Sequence, residues 1–129
     1  MSSECSYILK AVVNDIPPSN NKYMGNSHDF NGYRAQKERW HWLIKGALQK
    51  VKKPAVPFEK AVVTISYYFR DKRRHDPDNY SGKMILDPLV REGVIKDDSF
   101  DNIELRLKKG GVDKVNPRTE IIVEEVQDE

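Results

Sequence analysis

Apolar residues along the chain fall into four short runs that predict β-strands. Residues 6–13 and 60–69 are rich in β-branched and aromatic side chains, which favour strands. Residues 102–108 alternate polar and apolar positions, as a half-buried strand does, and residues 119–126 predict a final strand. The connecting segments contain residues that favour turns, namely Pro17-Pro18-Ser19-Asn20-Asn21, Lys96-Asp97-Asp98-Ser99, Gly110-Gly111 and Asn116-Pro117.

Two other segments have the apolar spacing of helices. From about Tyr33 to Val51, apolar residues recur every three or four positions, and they are Trp40, Leu43, Ile44, Ala47, Leu48 and Val51. This stripe predicts a buried Trp40, whereas Trp42 lies off it. A second helix is predicted to open at Asp76-Pro77 and to run toward Glu92, with Gly93 just past its end. Pro88 lies inside that pattern and predicts a kink or a restart near Asp87.

The order β-α-β-α-β-β predicts an α+β domain with a small mixed sheet of about four strands and two main helices. The 129 residues have a mass of 15.0 kDa, so residues 1–129 are expected to form a single domain. Cys5 is the only cysteine, which excludes a disulfide framework and a zinc site of paired cysteines. Because no apolar run approaches the ~20 residues of a membrane span and no signal pattern opens the chain, we expect a soluble, cytoplasmic protein without a membrane partner.

Positive charge is concentrated in the middle of the chain. The formal net charge is only +2, but a basic cluster follows the second predicted strand and consists of Arg70, Lys72, Arg73, Arg74 and His75. Such a run fits either a solvated loop or a surface that meets phosphate groups. The histidines His28, His41 and His75 lack the spacing of metal ligands, so we interpret them as surface or hydrogen-bonded residues.

Aspartates directly after the basic cluster are candidates for a metal site. Asp76 and Asp78 are two residues apart, and in an extended segment their side chains share a face. Pro77 disfavours a helical conformation at Asp76. Two neighbouring carboxylates repel each other unless a proton or a cation lies between them, and Mg²⁺ takes carboxylate, water and phosphate oxygens. The pair Asp97-Asp98 follows the second helix and could return to the same end of the sheet.

The same residues also have purely structural interpretations. Asp-Pro-Asp-Asn is a favourable helix start, with Asp76 at the N-cap and Pro77 at the first helical position. Lys-Asp-Asp-Ser is an ordinary turn. Lys83 and Asp87 are four residues apart on the predicted helix, so they fit an exposed ion pair that adds little stability. Spacing alone leaves the metal site and the cap both open.

In combination, these motifs resemble the RusA family of Holliday junction resolvases. The resemblance rests on Arg73-Arg74-His75-Asp76-Pro77-Asp78-Asn79, on the later residues Lys83, Asp87, Leu89, Gly93 and Asp97-Asp98, and on Pro17-Pro18-Ser19-Asn20-Asn21. It covers most of the chain, with the specific motifs between residues 16 and 98. Two positions depart from the family pattern. One extra residue between Asn79 and Lys83 would rotate Lys83 by about 100° on a continuous helix, and His75 replaces a usual arginine, so contact with phosphate there would depend on pH.

The resemblance implies a nuclease that hydrolyses phosphodiesters in four-way DNA junctions during recombination and repair. By position, Asp76, Asp78 and Asp98 would be catalytic acids that hold one or two Mg²⁺ ions, with Mn²⁺ as a substitute, and Lys83 would be a catalytic lysine at the scissile phosphate. Family members act as homodimers, and the expected DNA contacts are Arg70, Lys72, Arg73, Arg74, His75, Asn79, Asn20 and Asn21. Two alternatives stay open, a non-catalytic protein of the same fold that binds branched DNA and a structural protein whose aspartates are only caps.

Overall fold

The computed structural model describes residues 8–17, 30–72, 82–99 and 101–126. Within these ranges, four strands and two helices follow one another in the predicted order, and together they form an α+β fold. The elements are β1 (Ile8–Val13), α1 (Phe30–Leu48), β2 (Ala61–Phe69), α2 (Lys83–Arg91), β3 (Ile103–Val112) and β4 (Arg118–Glu125). The predicted fold class is therefore confirmed.

The four strands form one mixed sheet in the order β1-β4-β2-β3. Strand β4 runs antiparallel to both β1 and β2, whereas β2 and β3 are parallel. Strands β1, β2 and β3 therefore all point the same way and end at one edge of the sheet, at Val13, Phe69 and Val112. We call this the carboxyl edge and the opposite one the amino edge.

The hydrophobic core lies between one face of the sheet and the two helices. Alternate residues of β2 are buried from Ala61 to Phe69, because successive side chains of a strand point to opposite faces. Helix α1 adds Trp40, Ile44 and Leu48 to this core, as its apolar stripe predicts. Trp42 is exposed, as expected for a residue off the stripe.

The ends of the helices differ from the prediction. Helix α1 begins and ends three residues earlier than expected, and Val51 packs against the core from beyond the helix end. Helix α2 does not begin at Asp76 but at Lys83, after Gly82 in a left-handed conformation with φ +81°. It also runs through Pro88 without a restart. This short helix loses a single backbone hydrogen bond there, the one that the missing N–H would donate to Met84.

The end of α2 was predicted correctly, and its hydrogen bonds explain why. Gly93 has φ +78° and donates to the carbonyl of Val90 at 3.1 Å, while Val94 donates to the carbonyl of Leu89 at 2.9 Å. This is the Schellman pattern that a glycine past a helix end favours. Leu89 and Val94 are both fully buried, so the turn is held by packing as well as by hydrogen bonds.

Candidate functional site

Two of the candidate segments begin at the same edge of the sheet, because the strands before them run in the same direction. The Pro17–Asn21 segment follows β1 and the basic cluster follows β2, and both strands end at the carboxyl edge. Pro17 is buried there, while Arg70 and Lys72 are exposed. The other candidates in these segments lie outside the described residues; they are Asn20, Asn21, Arg73, Arg74, His75, Asp76, Asp78 and Asn79.

The start of β4 is fixed at the same edge by Arg118. Its guanidinium lies 3.9 Å from the centre of the Tyr68 ring and donates hydrogen bonds of 2.8 Å to both Asp113 and Glu120. The hydrogen bond to Glu120 is the main reason why the pKa of Arg118 is raised. The amide of Asn116, with help from Arg118 and the amide of Val115, lowers the pKa of Asp113. No sequence motif identifies this cluster of Arg118, Tyr68, Asp113 and Glu120, and the cluster was not predicted.

Lys83 is the first residue of α2, and its backbone position is set by Gly82. A Cβ atom at Gly82 would lie 3.1 Å from Ile65 Cδ1 and 3.6 Å from Leu105 and Leu107, so the chain passes directly over β2 and β3. Because α2 begins only at Lys83, the extra residue after Asn79 precedes the helix and does not rotate Lys83 within it. Asp76 is accordingly not the N-cap of α2, which removes the cap interpretation for that helix.

The two residues of the Asp97-Asp98 pair have different surroundings. Asp97 Oδ1 accepts the backbone N–H of Asp98 at 2.8 Å. The following turn is closed by Ser99 Oγ, which donates to Asn102 Oδ1 at 2.7 Å, and by the Asn102 amide, which donates to the carbonyl of Glu59 at 2.8 Å. The carboxylate of Asp98 is exposed and has no hydrogen bond or ion pair within the described part of the chain. Asp97 therefore holds the turn, and Asp98 presents a carboxylate that is available to a ligand.

Asp98 lies in a cleft of about 350 Å³ beside α2. We call it the α2 cleft, and its walls are Lys37, Asp87, Val90, Arg91, Asp97 and Asp98. Asp87 forms an ion pair with Lys37 of α1 at 3.3 Å, whereas the side chain of Lys83, the other candidate partner of Asp87, is not among the described side chains. The Lys37 ammonium thus offsets one of the negative charges in the cleft.

The Asp97-Asp98 pair can be placed along the sheet, whereas Asp76 and Asp78, whose end of the sheet it could share, lie outside the described residues. The pair precedes β3, where Ala61 donates to the carbonyl of Asn102 at 2.9 Å, so it lies near the amino edge and not at the carboxyl edge. Helix α2 separates Asp98 from Lys83, since its nine residues rise by about 12 Å from the first to the last. Asp98 therefore lies beside the second half of α2, whereas Lys83 begins it.

Within the residues that the structure describes, no group of three or more His, Cys, Asp or Glu side chains could hold a metal ion. His41, which was interpreted as a surface or hydrogen-bonded residue, is buried and bonds Glu92 through Nε2 at 3.1 Å. Asp98 has the type of oxygen donor that a hard cation takes, and the other two proposed ligands, Asp76 and Asp78, lie outside the described residues.

Comparison with known proteins adds no relative, since neither the protein-family models nor the curated proteins give a match to this chain. In the described ranges, no helix has the length and apolar character of a membrane span.

Proposed function

We propose that this protein is a Mg²⁺-dependent, structure-selective endodeoxyribonuclease that cleaves four-way DNA junctions in recombination and repair. The observation that carries the proposal is the combination of Asp76-Pro77-Asp78-Asn79 with Lys83, Asp87 and Asp97-Asp98 in one chain. The contacts around Asp98 support it. An exposed carboxylate that has no hydrogen bond or ion pair with the described residues, on a turn that is fixed by Asp97, Ser99 and Asn102, suits metal binding better than it suits a structural role.

Each residue has a role in this proposal. Asp76, Asp78 and Asp98 would hold one or two Mg²⁺ ions, and bound Mg²⁺ lowers the pKa of a water molecule and offsets charge on the phosphate under attack. Lys83 supplies a positive charge to the phosphate oxygens as negative charge develops on them. Asp97 is a positioning residue, because it fixes the backbone of Asp98.

The basic cluster would hold the DNA backbone. Arg70 and Lys72 are exposed where the chain leaves β2, and Arg73, Arg74 and His75 follow them. Contacts to phosphate fix the position of DNA without reading its sequence. Asn79, Asn20 and Asn21 complete the proposed DNA contacts, and a homodimer would place two such sites on the two-fold symmetry of a junction.

The experiment that tests the proposal compares Asp76→Asn and Asp78→Asn with the unmodified protein on a labelled four-way junction in Mg²⁺. Each substitution keeps the side-chain shape and removes one negative charge, so cleavage should fall by several orders of magnitude. Junction binding should persist or strengthen in metal-free buffer, because less negative charge then faces the phosphates.

Asp101→Asn is the control, since Asp101 is an exposed acid outside the motif. Asp87 is less suitable because it lines the α2 cleft together with Asp98. Undiminished cleavage by folded Asp76→Asn and Asp78→Asn proteins would remove the metal-site assignment. If the unmodified protein binds junctions but cleaves none, the non-catalytic binding protein is the correct function.

A further inference from the structure

The carboxyl edge gathers exposed positive side chains from two segments that are far apart in sequence. Arg70 and Lys72 follow β2, whereas Lys109 lies near the end of β3 and Lys114 in the loop before β4. Strands β2 and β3 are parallel, with Phe69 opposite Val112, so the chain leaves both strands side by side. Within the described residues, none of these four basic side chains has an ion-pair partner. The carboxyl edge thus carries four exposed basic side chains from two segments, with Asp71 as the acid between Arg70 and Lys72.

Lys109 lies on the face of the sheet that carries the helices. It is the partner of the buried Tyr67 and follows Leu105 and Leu107 in the alternation of β3. Gly82 packs over Leu107, and Lys109 is two residues, or about 6.6 Å, farther along the strand. Lys109 is therefore the β3 residue that lies just beyond the beginning of α2. Lys108 is also exposed but points to the opposite face.

The loop that carries Lys114 is fixed in place. The N–H of Asp113 donates to the carbonyl of Phe69 at 2.7 Å, which extends the strand pairing past Val112. Asp113 Oδ1 accepts the N–H groups of Val115 at 3.1 Å and Asn116 at 3.0 Å, and Oδ2 accepts from Arg118 at 2.8 Å. The Asp113 carboxylate is thus occupied by hydrogen bonds within the loop and with Arg118. The exposed ammonium of Lys114 contributes its positive charge to the carboxyl edge.

The amino edge has the opposite charge. Its exposed side chains include Asp97, Asp98 and Asp101, while Glu59 is paired with the exposed Lys96 at 3.8 Å. The positive side chains of the carboxyl edge reinforce one another and favour contact with a polyanion there, whereas Asp98 would meet phosphate through bound Mg²⁺.

We propose that Lys109 and Lys114 extend the DNA-binding surface of the basic cluster across β3, and that they contact phosphate groups of the DNA backbone. This inference rests on the proposed function for its ligand, but it assigns two residues that no sequence motif identifies. Contacts of this kind hold the nucleic acid without reading its sequence, and they add to the salt dependence of binding.

The test measures the affinity for a labelled four-way junction as a function of salt concentration, in buffer without Mg²⁺. Loss of two phosphate contacts in the double variant Lys109→Gln/Lys114→Gln should reduce the slope of log K against log salt by about 1.8 for duplex arms. Binding at about 0.1 M salt should weaken by at least tenfold, as an order of magnitude from the same counterion release. The variant Lys109→Arg/Lys114→Arg should bind like the unmodified protein.

A matched control removes the same charge elsewhere. The double variant Lys10→Gln/Lys108→Gln also loses two exposed lysines, but both lie on the sheet face that points away from the helices. Equal slopes for the two glutamine variants would overturn the inference and leave the proposed function intact. Absence of junction binding by the unmodified protein would overturn the proposed function, and this inference with it.

Discussion

Two adjacent aspartates illustrate how neighbouring residues of one type can have different roles. Asp97 uses a carboxylate oxygen to accept the N–H of Asp98, and this bond shapes the turn. Asp98 makes no such contact in the described part of the chain and faces the α2 cleft. The sequence motif already points to Asp98 of this pair, and the hydrogen bond adds a physical reason, because it engages Asp97 and leaves the Asp98 carboxylate available.

Substitution of the two residues should separate these roles. Asp98→Asn removes a proposed metal ligand, so we expect cleavage of a four-way junction to fall by several orders of magnitude. Asp97→Asn keeps an oxygen that can accept the same N–H, so cleavage should stay within about tenfold of the unmodified protein, as expected for a bond worth about 1 kcal/mol. Thermal melts of both variants check that the fold is intact. Equal losses in the two variants would argue against the division of roles.

Arg118 and Asp113 link the stability of the carboxyl edge to pH. The folded protein lowers the pKa of Asp113 below its ordinary value of 3.8, mainly through the N–H of Asn116. A carboxyl group with a lowered pKa contributes stability above that ordinary value, and this contribution is lost as pH falls through the folded pKa.

Asp113→Asn should therefore lower the Tm at neutral pH, because Asn still accepts the backbone N–H groups but carries no charge for Arg118. The difference in Tm between the variant and the unmodified protein should shrink as pH falls below 3.8. Melting curves over that range provide the measurement. A Tm difference that is the same in neutral and in strongly acidic buffer would show that charge on Asp113 does not stabilise the edge.

Strand β3 shows why an element can extend past its apparent end. Gly110-Gly111 predicts a loop, yet both residues belong to β3, which continues to Val112. The register shifts at this point, with Tyr67 opposite Lys109 and Tyr68 opposite Gly111. A Cβ atom at Gly110 would lie only 2.5 Å from Cζ of the Tyr68 ring. Glycine is needed here for close approach within a bulge, and a single sequence does not distinguish that need from a turn.

The start of α2 was predicted wrongly for a similar reason. Asp76-Pro77 has the composition of a helix start, but the left-handed Gly82 requires the helix to begin after it. Gly82 was not recognised as a helix boundary, because the packing of its backbone over Ile65 and Leu107 depends on contacts across the sheet. The helix end at Gly93, in contrast, is a local property of the chain and was predicted.

Alanine substitutions at two glycines should change the free energy of unfolding in opposite directions. Gly82→Ala places a side chain at φ +81° and 3.1 Å from Ile65 Cδ1, so the free energy of unfolding should fall by about 1–2 kcal/mol. Gly46→Ala introduces a Cβ within α1 that meets nothing within 4 Å, so it should raise the free energy of unfolding by about 1 kcal/mol. Urea denaturation measures both changes. A neutral Gly82→Ala would contradict the requirement for glycine before α2.

At the scale of the whole molecule, the sequence was sufficient to predict the order of the elements but not the contacts between them. Periodicity identified each strand and helix because local spacing reflects burial. The parallel pairing of β2 with β3, which brings Lys109 and Lys114 beside Arg70, depends on strand register. The approach of Lys37 to Asp87 likewise depends on how α1 packs on α2. The motifs of the proposed site are visible in the sequence, whereas contacts such as Lys37 with Asp87 are not.

The proposed function requires two cuts on one junction, and we therefore expect a homodimer. Light scattering should give a mass near twice the 15.0 kDa of the chain at micromolar concentration. The monomer mass, both with and without junction DNA, would be inconsistent with paired cleavage by a preformed dimer.

The most direct test is cleavage of a labelled four-way junction by the purified protein with and without Mg²⁺, beside a linear duplex of the same sequence. We expect paired nicks in the junction that require Mg²⁺, with the linear duplex left intact. Ca²⁺ should support binding with little cleavage, because its larger and looser oxygen shell degrades the alignment of the attacking water. Junction binding by folded protein without any cleavage in Mg²⁺ would contradict the proposed nuclease and leave a DNA-binding protein of this fold.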